Sequence, residues 1–282
     1  MATFSFRKYA FHLLILISGL FISLPQAIAQ RFIDERKEHF IFDVKIIDEF
    51  IDRFNNAENT LISKNSSTPI NRQQALKLLF NKKEKSWDTL IVKRFIDDIL
   101  NKDARLNFYD KFWYAQLKCQ FKYMGVAKEV ILTLENQVFT SGASKWLIVG
   151  VYAPFLDFSK CASELTIPDS RDITRTMNPM THATNFVGLK RALEDFPNLK
   201  NYYCQSCNSD ELHVFANEIL NKNLKLVGID KITYHFLEID NWIFTVDHFY
   251  GNTYHSGWLI SSLVEANQNQ KKFYKTSKLY LN

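Results

Sequence analysis

Residues Phe95–Lys118 read FIDDILNKDARLNFYDKFWYAQLK, and Phe215–Glu238 read FANEILNKNLKLVGIDKITYHFLE. At a constant offset of 120, ten of the 24 columns are identical: Phe95/Phe215, Ile99/Ile219, Leu100/Leu220, Asn101/Asn221, Lys102/Lys222, Leu106/Leu226, Asp110/Asp230, Lys111/Lys231, Tyr114/Tyr234 and Leu117/Leu237. Average composition would give roughly one or two such matches. The echo resumes at an offset of 112, where Val130–Ile148 lies over Trp242–Ile260. There Thr133/Thr245, Ser144/Ser256, Trp146/Trp258, Leu147/Leu259 and Ile148/Ile260 are identical, and Glu135 stands over Asp247. The chain therefore carries one supersecondary unit twice.

Each unit reads as helices followed by antiparallel strands. Val44, Ile47, Ile51 and Phe54 recur at helical spacing. Asn71 with Gln74 resembles a capping box for a helix over 73–80, and Asp88 can cap a third helix with Ile91, Phe95, Ile96 and Ile99 as its buried stripe. After Asp103 the period changes to two, and 111–123, 128–139 and 145–153 are strand-like. In the second unit, helices are expected over 185–196 and over 209–221, the latter with Asn208 and Glu211 as its capping box. Strands follow at 231–238, 242–250 and 257–264. The change of offset lengthens the first hairpin by about four residues on each arm, an overhang of roughly 13 Å. Such an arm must pack on something or become an exposed edge, and it is expected to meet the other unit or a partner.

The ends and composition set further bounds. Arg7 and Lys8, the apolar run Phe11–Leu24 and Ala27-Ile28-Ala29 form an export signal over 1–29, cleaved near Ala29/Gln30. The apolar run is short of the ~18–20 residues that a membrane span needs, so no stable span is expected after cleavage. The product is then periplasmic or secreted. The remaining chain divides into a first α+β domain over 30–158, a linker over 159–181, a second α+β domain over 182–266 and a basic C-terminal tail over 267–282. Loss of Arg7 and Lys8 lowers the formal net charge from +5 to +3, too little and too diffuse for nucleic acid. The run Lys271-Lys272, Lys275 and Lys278 reads as a solvated tail, with membrane-surface or polyanion binding as the other reading.

Export permits disulfides among Cys119, Cys161, Cys204 and Cys207. The Cys204-Gln205-Ser206-Cys207 spacing fits a local disulfide; free thiols, longer bridges and a redox or metal role are the competing readings. No second C-x-x-C accompanies it, and no nucleophile elbow, P-loop, dinucleotide fingerprint, zincin helix or calcium loop appears, so neither metal nor cofactor is expected.

Helices followed by a strongly twisted antiparallel sheet, with Trp146 and Trp258 on matching strands, resemble the nuclear-transport-factor-2-like (cystatin-like) superfamily. The resemblance implies an α+β fold of two copies, each a set of helices against a curved sheet, forming a cone with a pocket at its mouth. Its duplicated exported members with no assigned role look closest. Enzymes of that superfamily often place an Asp–His or Asp–Tyr pair inside the cone, which makes Asp247 and His235 the candidate catalytic pair. The polar aromatics of the second unit supply ligand-binding candidates: Tyr234, His248 and Tyr250, with His182 at an expected helix start. Against catalysis, Thr245/Asp247 mirror Thr133/Glu135, which suggests a shared structural duty in both units. Trp146 and Trp258 read as core anchors. Asp97-Asp98 and Asp48-Glu49 read as solvated helix faces. The expected function is non-catalytic binding of a small molecule or an envelope protein. The alternative is a small-molecule enzyme of isomerase, dehydratase or hydrolase type with an acid–base pocket in the second domain.

Overall fold

The computed structural model describes residues 47–55, 71–81, 86–139, 142–158, 167–178, 186–207, 209–250 and 257–281. The expected leader, Cys161 and His182 lie outside the described residues. Helices α1 (Ile47–Asn55), α2 (Arg72–Leu78) and α3 (Thr89–Asn101) precede strands β1 (Trp113–Tyr123), β2 (Val126–Val138) and β3 (Ser144–Tyr152). Helix α4 (Val187–Glu194), a 3-10 helix (Phe196–Tyr202) and α5 (Asp210–Leu220) precede β4 (Leu224–Phe236), β5 (Trp242–Phe249) and β6 (Gly257–Glu265), and α6 (Gln268–Lys278) follows.

Local signals explain the helix starts. Asn71 and Gln74 form the expected reciprocal capping box, and the Asp88 carboxylate accepts from the amides of Leu90 and Ile91. Helix α5 is capped by Ser209, whose hydroxyl accepts from Leu212 N, one residue after the expected Asn208. Phe196-Pro197 ends the α4 segment and opens the 3-10 helix, since proline suits a first turn but not a helix interior.

The strands form one antiparallel six-stranded sheet in the order β3-β2-β1-β4-β5-β6. The lengthened arm of β1 does not hang free: Cys119–Tyr123 pairs with Leu224–Ile229 of β4. Strand β4 thus begins seven residues before the expected 231. Register shifts leave Val227 and Asp230 as extra residues against β1, and these bulges break the alternation that would have revealed a strand.

The pairings also correct the expected strand parity. Ala115 faces Leu134 where Tyr234 faces Val246, so Ala115 and Tyr234 hold equivalent places. The offset of 120 pairs Tyr234 with Tyr114, one residue away. A one-residue slip turns every side chain to the other face. Tyr114 accordingly belongs to a small cluster with Leu147, Val149, Leu237 and Ile243, and Tyr234 to the main core.

Helices cover the main-core face crosswise. Phe50 and Phe54 of α1 and Phe95 of α3 pack on Phe236, Trp242 and Phe244 of the second meander. Phe215 of α5 packs on Phe121, and Phe186 beside α4 on Trp146, both in the first meander. Phe80 bridges Ile260 at one sheet edge, and Tyr203 bridges Ile148 at the other. The described residues all belong to one compact unit, and this packing crosses the boundaries expected at 158 and 182. Asp98, expected to be solvated, accepts a 2.8 Å bond from the Trp242 indole.

Residues 267–281 are not a solvated tail. Asn267 and Gln270 form a capping box for α6, which lies over the second face of the sheet. The Lys271 stem is buried there and its ammonium donates to the carbonyls of Leu237 (2.7 Å) and Ile239 (2.6 Å). Gln116 Nε2 donates to Lys278 O at 2.6 Å, and Leu279 is fully buried. Gly150 permits this approach: a Cβ there would stand 2.7 Å from the carbonyl oxygens of Leu279 and Tyr280.

Candidate functional site

The expected acid–base pair sits beneath α6. Thr233, His235 and Asp247 share the face opposite the main core. The Asp247 carboxylate accepts from Lys231 Nζ (2.9 Å) and from Thr233 Oγ1 (2.5 Å). His235 Nδ1 lies 2.8 Å from the Tyr274 hydroxyl of α6. Burial pushes the His235 pKa down to about 4, against the pull of Asp247, so the imidazole is neutral at pH 7. The two groups are near enough to interact electrostatically, yet no hydrogen bond joins them: Asp247 is engaged by Lys231 and Thr233, and His235 through Nδ1 by Tyr274. Asp247 thus forms a cross-strand ion pair with Lys231.

On the main-core face, β4 and β5 splay apart. Their pairing runs from Phe236↔Phe244 to Thr233↔Asp247 and stops. Among the described residues, Leu224–Ile229 of β4 pairs with β1 alone. The bulges at Val227 and Asp230 strengthen the local twist and turn this half of β4 away from β5. A cleft of about 370 Å³ opens between the two strands, lined by β4 from Leu226 to Ile232, by His248 and Tyr250 at the end of β5, and by Trp258. Phe186 and Lys190 line its helix side.

The cleft wall is aromatic. The His248 ring meets Trp258 edge-on at 5.2 Å and lies 4.5 Å from Tyr250. Trp258 is 2% exposed and forms the inner limit, whereas Tyr250 is 86% exposed and stands at the mouth. Tyr234 lies behind Trp258, with ring centroids 4.8 Å apart, so it supports the wall without lining it. Its hydroxyl is buried and, among the described residues, has no hydrogen-bond partner. Burial raises its pKa.

The charges of the cleft are unequally engaged. Asp230 Oδ2 accepts from Gln120 Nε2 at 2.6 Å, and Lys231 is held by Asp247. Lys190 has no carboxylate partner among the described residues. One uncommitted ammonium beside an aromatic wall suits a flat anionic ligand: the rings take its face and the ammonium its charge.

Of the sequence candidates, His248 and Tyr250 meet in this cleft, Tyr234 backs it, and Asp247 and His235 lie on the opposite face. Phe186, Lys190 and the β4 edge are not among the site candidates that the sequence offers. Gly228 inside the β4 segment was the available signal, since an interior strand glycine marks a bulge or a close approach.

Cys204 and Cys207 are joined by a disulfide with Cα atoms 5.4 Å apart. Cys119 is a buried free thiol. Among the described residues no cluster of His, Cys, Asp and Glu has the makings of a metal site, and no helix is long and apolar enough to cross a membrane. No family model, no curated protein and no solved structure matches the chain.

Proposed function

We propose that this protein is a non-catalytic binding protein of the cell envelope, and that it takes a small aromatic anion into the cleft between β4 and β5. The observation that carries the reading is the cleft wall of His248, Trp258 and Tyr250 beside Lys190, which has no carboxylate partner among the described residues. The enzymatic alternative draws on Asp247 and His235, but their bonds to Lys231, Thr233 and Tyr274 turn them away from this cleft. Export rests on the leader pattern from Arg7 to Ala29.

The proposal includes an origin from two copies of one helices-plus-sheet unit of nuclear-transport-factor-2-like kind. Support comes from irregularities repeated at matching places. A register shift falls between Thr133 and Leu134 against β3, and another between Thr245 and Val246 against β6. The crosswise bridges of Phe80 to Ile260 and Tyr203 to Ile148 end on matched isoleucines.

Titration calorimetry with a panel of aromatic carboxylates, indole-3-acetate and 4-hydroxybenzoate among them, tests the binding role. At least one member binds, and Lys190→Ala and Tyr250→Ala weaken it about tenfold each, near 1.4 kcal/mol. Binding that both variants leave unchanged, or no binding across the panel, overturns the assignment of this cleft.

A further inference from the structure

A second concavity lies between α2 and α3. Its volume is about 530 Å³, inside the ~300–1,000 Å³ range of small-molecule sites. Phe80 and Ile96 form the floor, both almost completely buried, and Trp87 and Val92 form half-buried walls. The Trp87 wall is fixed in two ways. Its indole N–H donates to Asn81 O at 2.6 Å, and its ring stands edge-on to Phe80 at 5.0 Å and 87°. Phe80 is itself held by the bridge to Ile260, with Asn81 N donating to Ile260 O and Ile260 N to Leu79 O. The apolar surface is therefore preformed and rests on the sheet edge.

The rim has a different chemistry. Lys77 projects from α2 and Lys93 from α3, both exposed and both without a carboxylate ion pair among the described residues. Among the described residues Asp97 is the one carboxylate of the lining, beside the two lysines. An apolar trough with two cationic rim groups matches a ligand that is hydrocarbon at one end and anionic at the other. Burying each methylene in such a trough is worth about 0.8 kcal/mol, and the ammonium groups select the charge of the head.

We infer that the groove between α2 and α3 binds a single-chain anionic amphiphile, a long-chain carboxylate, at a site separate from the β4–β5 cleft. The chain lies on Phe80, Trp87, Val92 and Ile96, and its carboxylate meets Lys77 and Lys93.

Dodecanoate, kept below its micellar concentration, is the probe, and titration calorimetry of the full protein is the measurement. Dodecanoate binds; acetate, which lacks the chain, does not compete; and dodecanol, which lacks the charge, binds about tenfold more weakly. The double substitution Lys77→Ala/Lys93→Ala reduces dodecanoate affinity about tenfold toward the dodecanol value. These lysines are exposed, so the variant keeps its fold. Val92→Trp fills the trough and abolishes binding, whereas Lys190→Ala in the other cleft leaves it unchanged. The inference is overturned if dodecanoate fails to bind, if the double variant binds it as tightly as the parent, or if only vesicles of anionic phospholipid bind while monomeric dodecanoate does not.

Discussion

Tyr114 and Tyr234, the tyrosines that the repeat alignment matches, stand on opposite faces of one sheet. Tyr114 lies beneath α6, with the Lys275 ammonium 5.7 Å from its ring centroid. Tyr234 is buried in the main core between Trp113 and Trp258. Across the central β1–β4 pairing it faces Ala115. A large ring opposite a methyl group fills the centre of the sheet, where two tyrosines would crowd.

Tyr234 should therefore matter through its ring and not its hydroxyl. Tyr234→Ala should cost about 3–5 kcal/mol, as for other large core aromatics. Tyr234→Phe should be neutral or stabilising by about 1 kcal/mol, because the buried hydroxyl makes no hydrogen bond among the described residues. Urea unfolding of both variants measures this. A loss above 1 kcal/mol in the Phe variant would show that the hydroxyl has a partner.

Trp146 and Trp258 hold equivalent places, facing Asn136 and His248 across their strand pairs. Both are nearly fully buried, and truncation of either to Ala should cost about 3–5 kcal/mol. The functional consequences should differ. Trp258→Ala also removes the inner wall of the cleft and should abolish binding there, whereas Trp146→Ala, which reaches the cleft only through Phe186, should weaken binding but retain it at matched temperature below its melting point. Equal effects on binding would detach Trp258 from the site.

Much of the local structure was legible because its signals are local. Asn71 with Gln74 and Asp88 before an apolar stripe needed no tertiary context to cap their helices. The strands from Trp113, Trp242 and Gly257 announced themselves by composition. What escaped the sequence depends on long-range contacts. Nothing in the pattern of α1 and α3 tells which meander Phe50 and Phe95 will cover. The first half of β4 was hidden by two bulges, and the cleft exists because of them. Helix α6 was hidden differently: its inward stripe is Lys271, Tyr274 and Lys275, polar residues whose stems do the covering. The candidate histidines were found by residue type, but the face on which each lies was fixed by register.

His235 should make the fold acid-sensitive. Its folded pKa is depressed to about 4 by burial, from an ordinary 6.5. The unfolded chain takes up a proton below pH 6.5 that the folded protein refuses until about pH 4, so stability is full above 6.5 and falls as acid is added. The loss across that window is about 3 kcal/mol. His235→Gln should flatten it, as read from urea midpoints at pH 7 and pH 4. The same slope in the variant would assign the sensitivity to other groups.

Glu238 should act in the opposite direction. Both its carboxyl oxygens are buried and, among the described residues, without hydrogen-bond partners. Burial, and then the nearby Asp110, push its pKa up to about 8, against Lys271. The unfolded chain ionises near 4.5 and the folded protein does not, so stability is full below 4.5 and declines as pH rises toward 8. Glu238→Gln removes that proton linkage. It should stabilise by roughly 2–4 kcal/mol at pH 9, while at pH 4 the two proteins should be nearly equal. Thermal unfolding at both pH values decides, and an equal shift at each would contradict the assignment.

The strongest contrast between the two readings of the C-terminus is its removal. As a solvated tail, residues 267–282 could be deleted with little effect, within about 0.5 kcal/mol for surface changes. As helix α6 they cover Tyr114, Leu147, Val149, Leu237 and Ile243, and they cap the carbonyls of Leu237 and Ile239 through Lys271. A chain ending at Ala266 would bare that apolar strip and leave His235 without Tyr274. Exposed patches of this kind drive association. The truncated protein should therefore bind a hydrophobic dye, lose several kcal/mol of stability and aggregate at concentrations where the full chain stays monodisperse. Lys271→Met separates the two contributions, keeping the apolar cover while removing the cap, and should cost about 1–3 kcal/mol. A truncated chain that unfolds at the same denaturant midpoint as the parent would return these residues to the solvent.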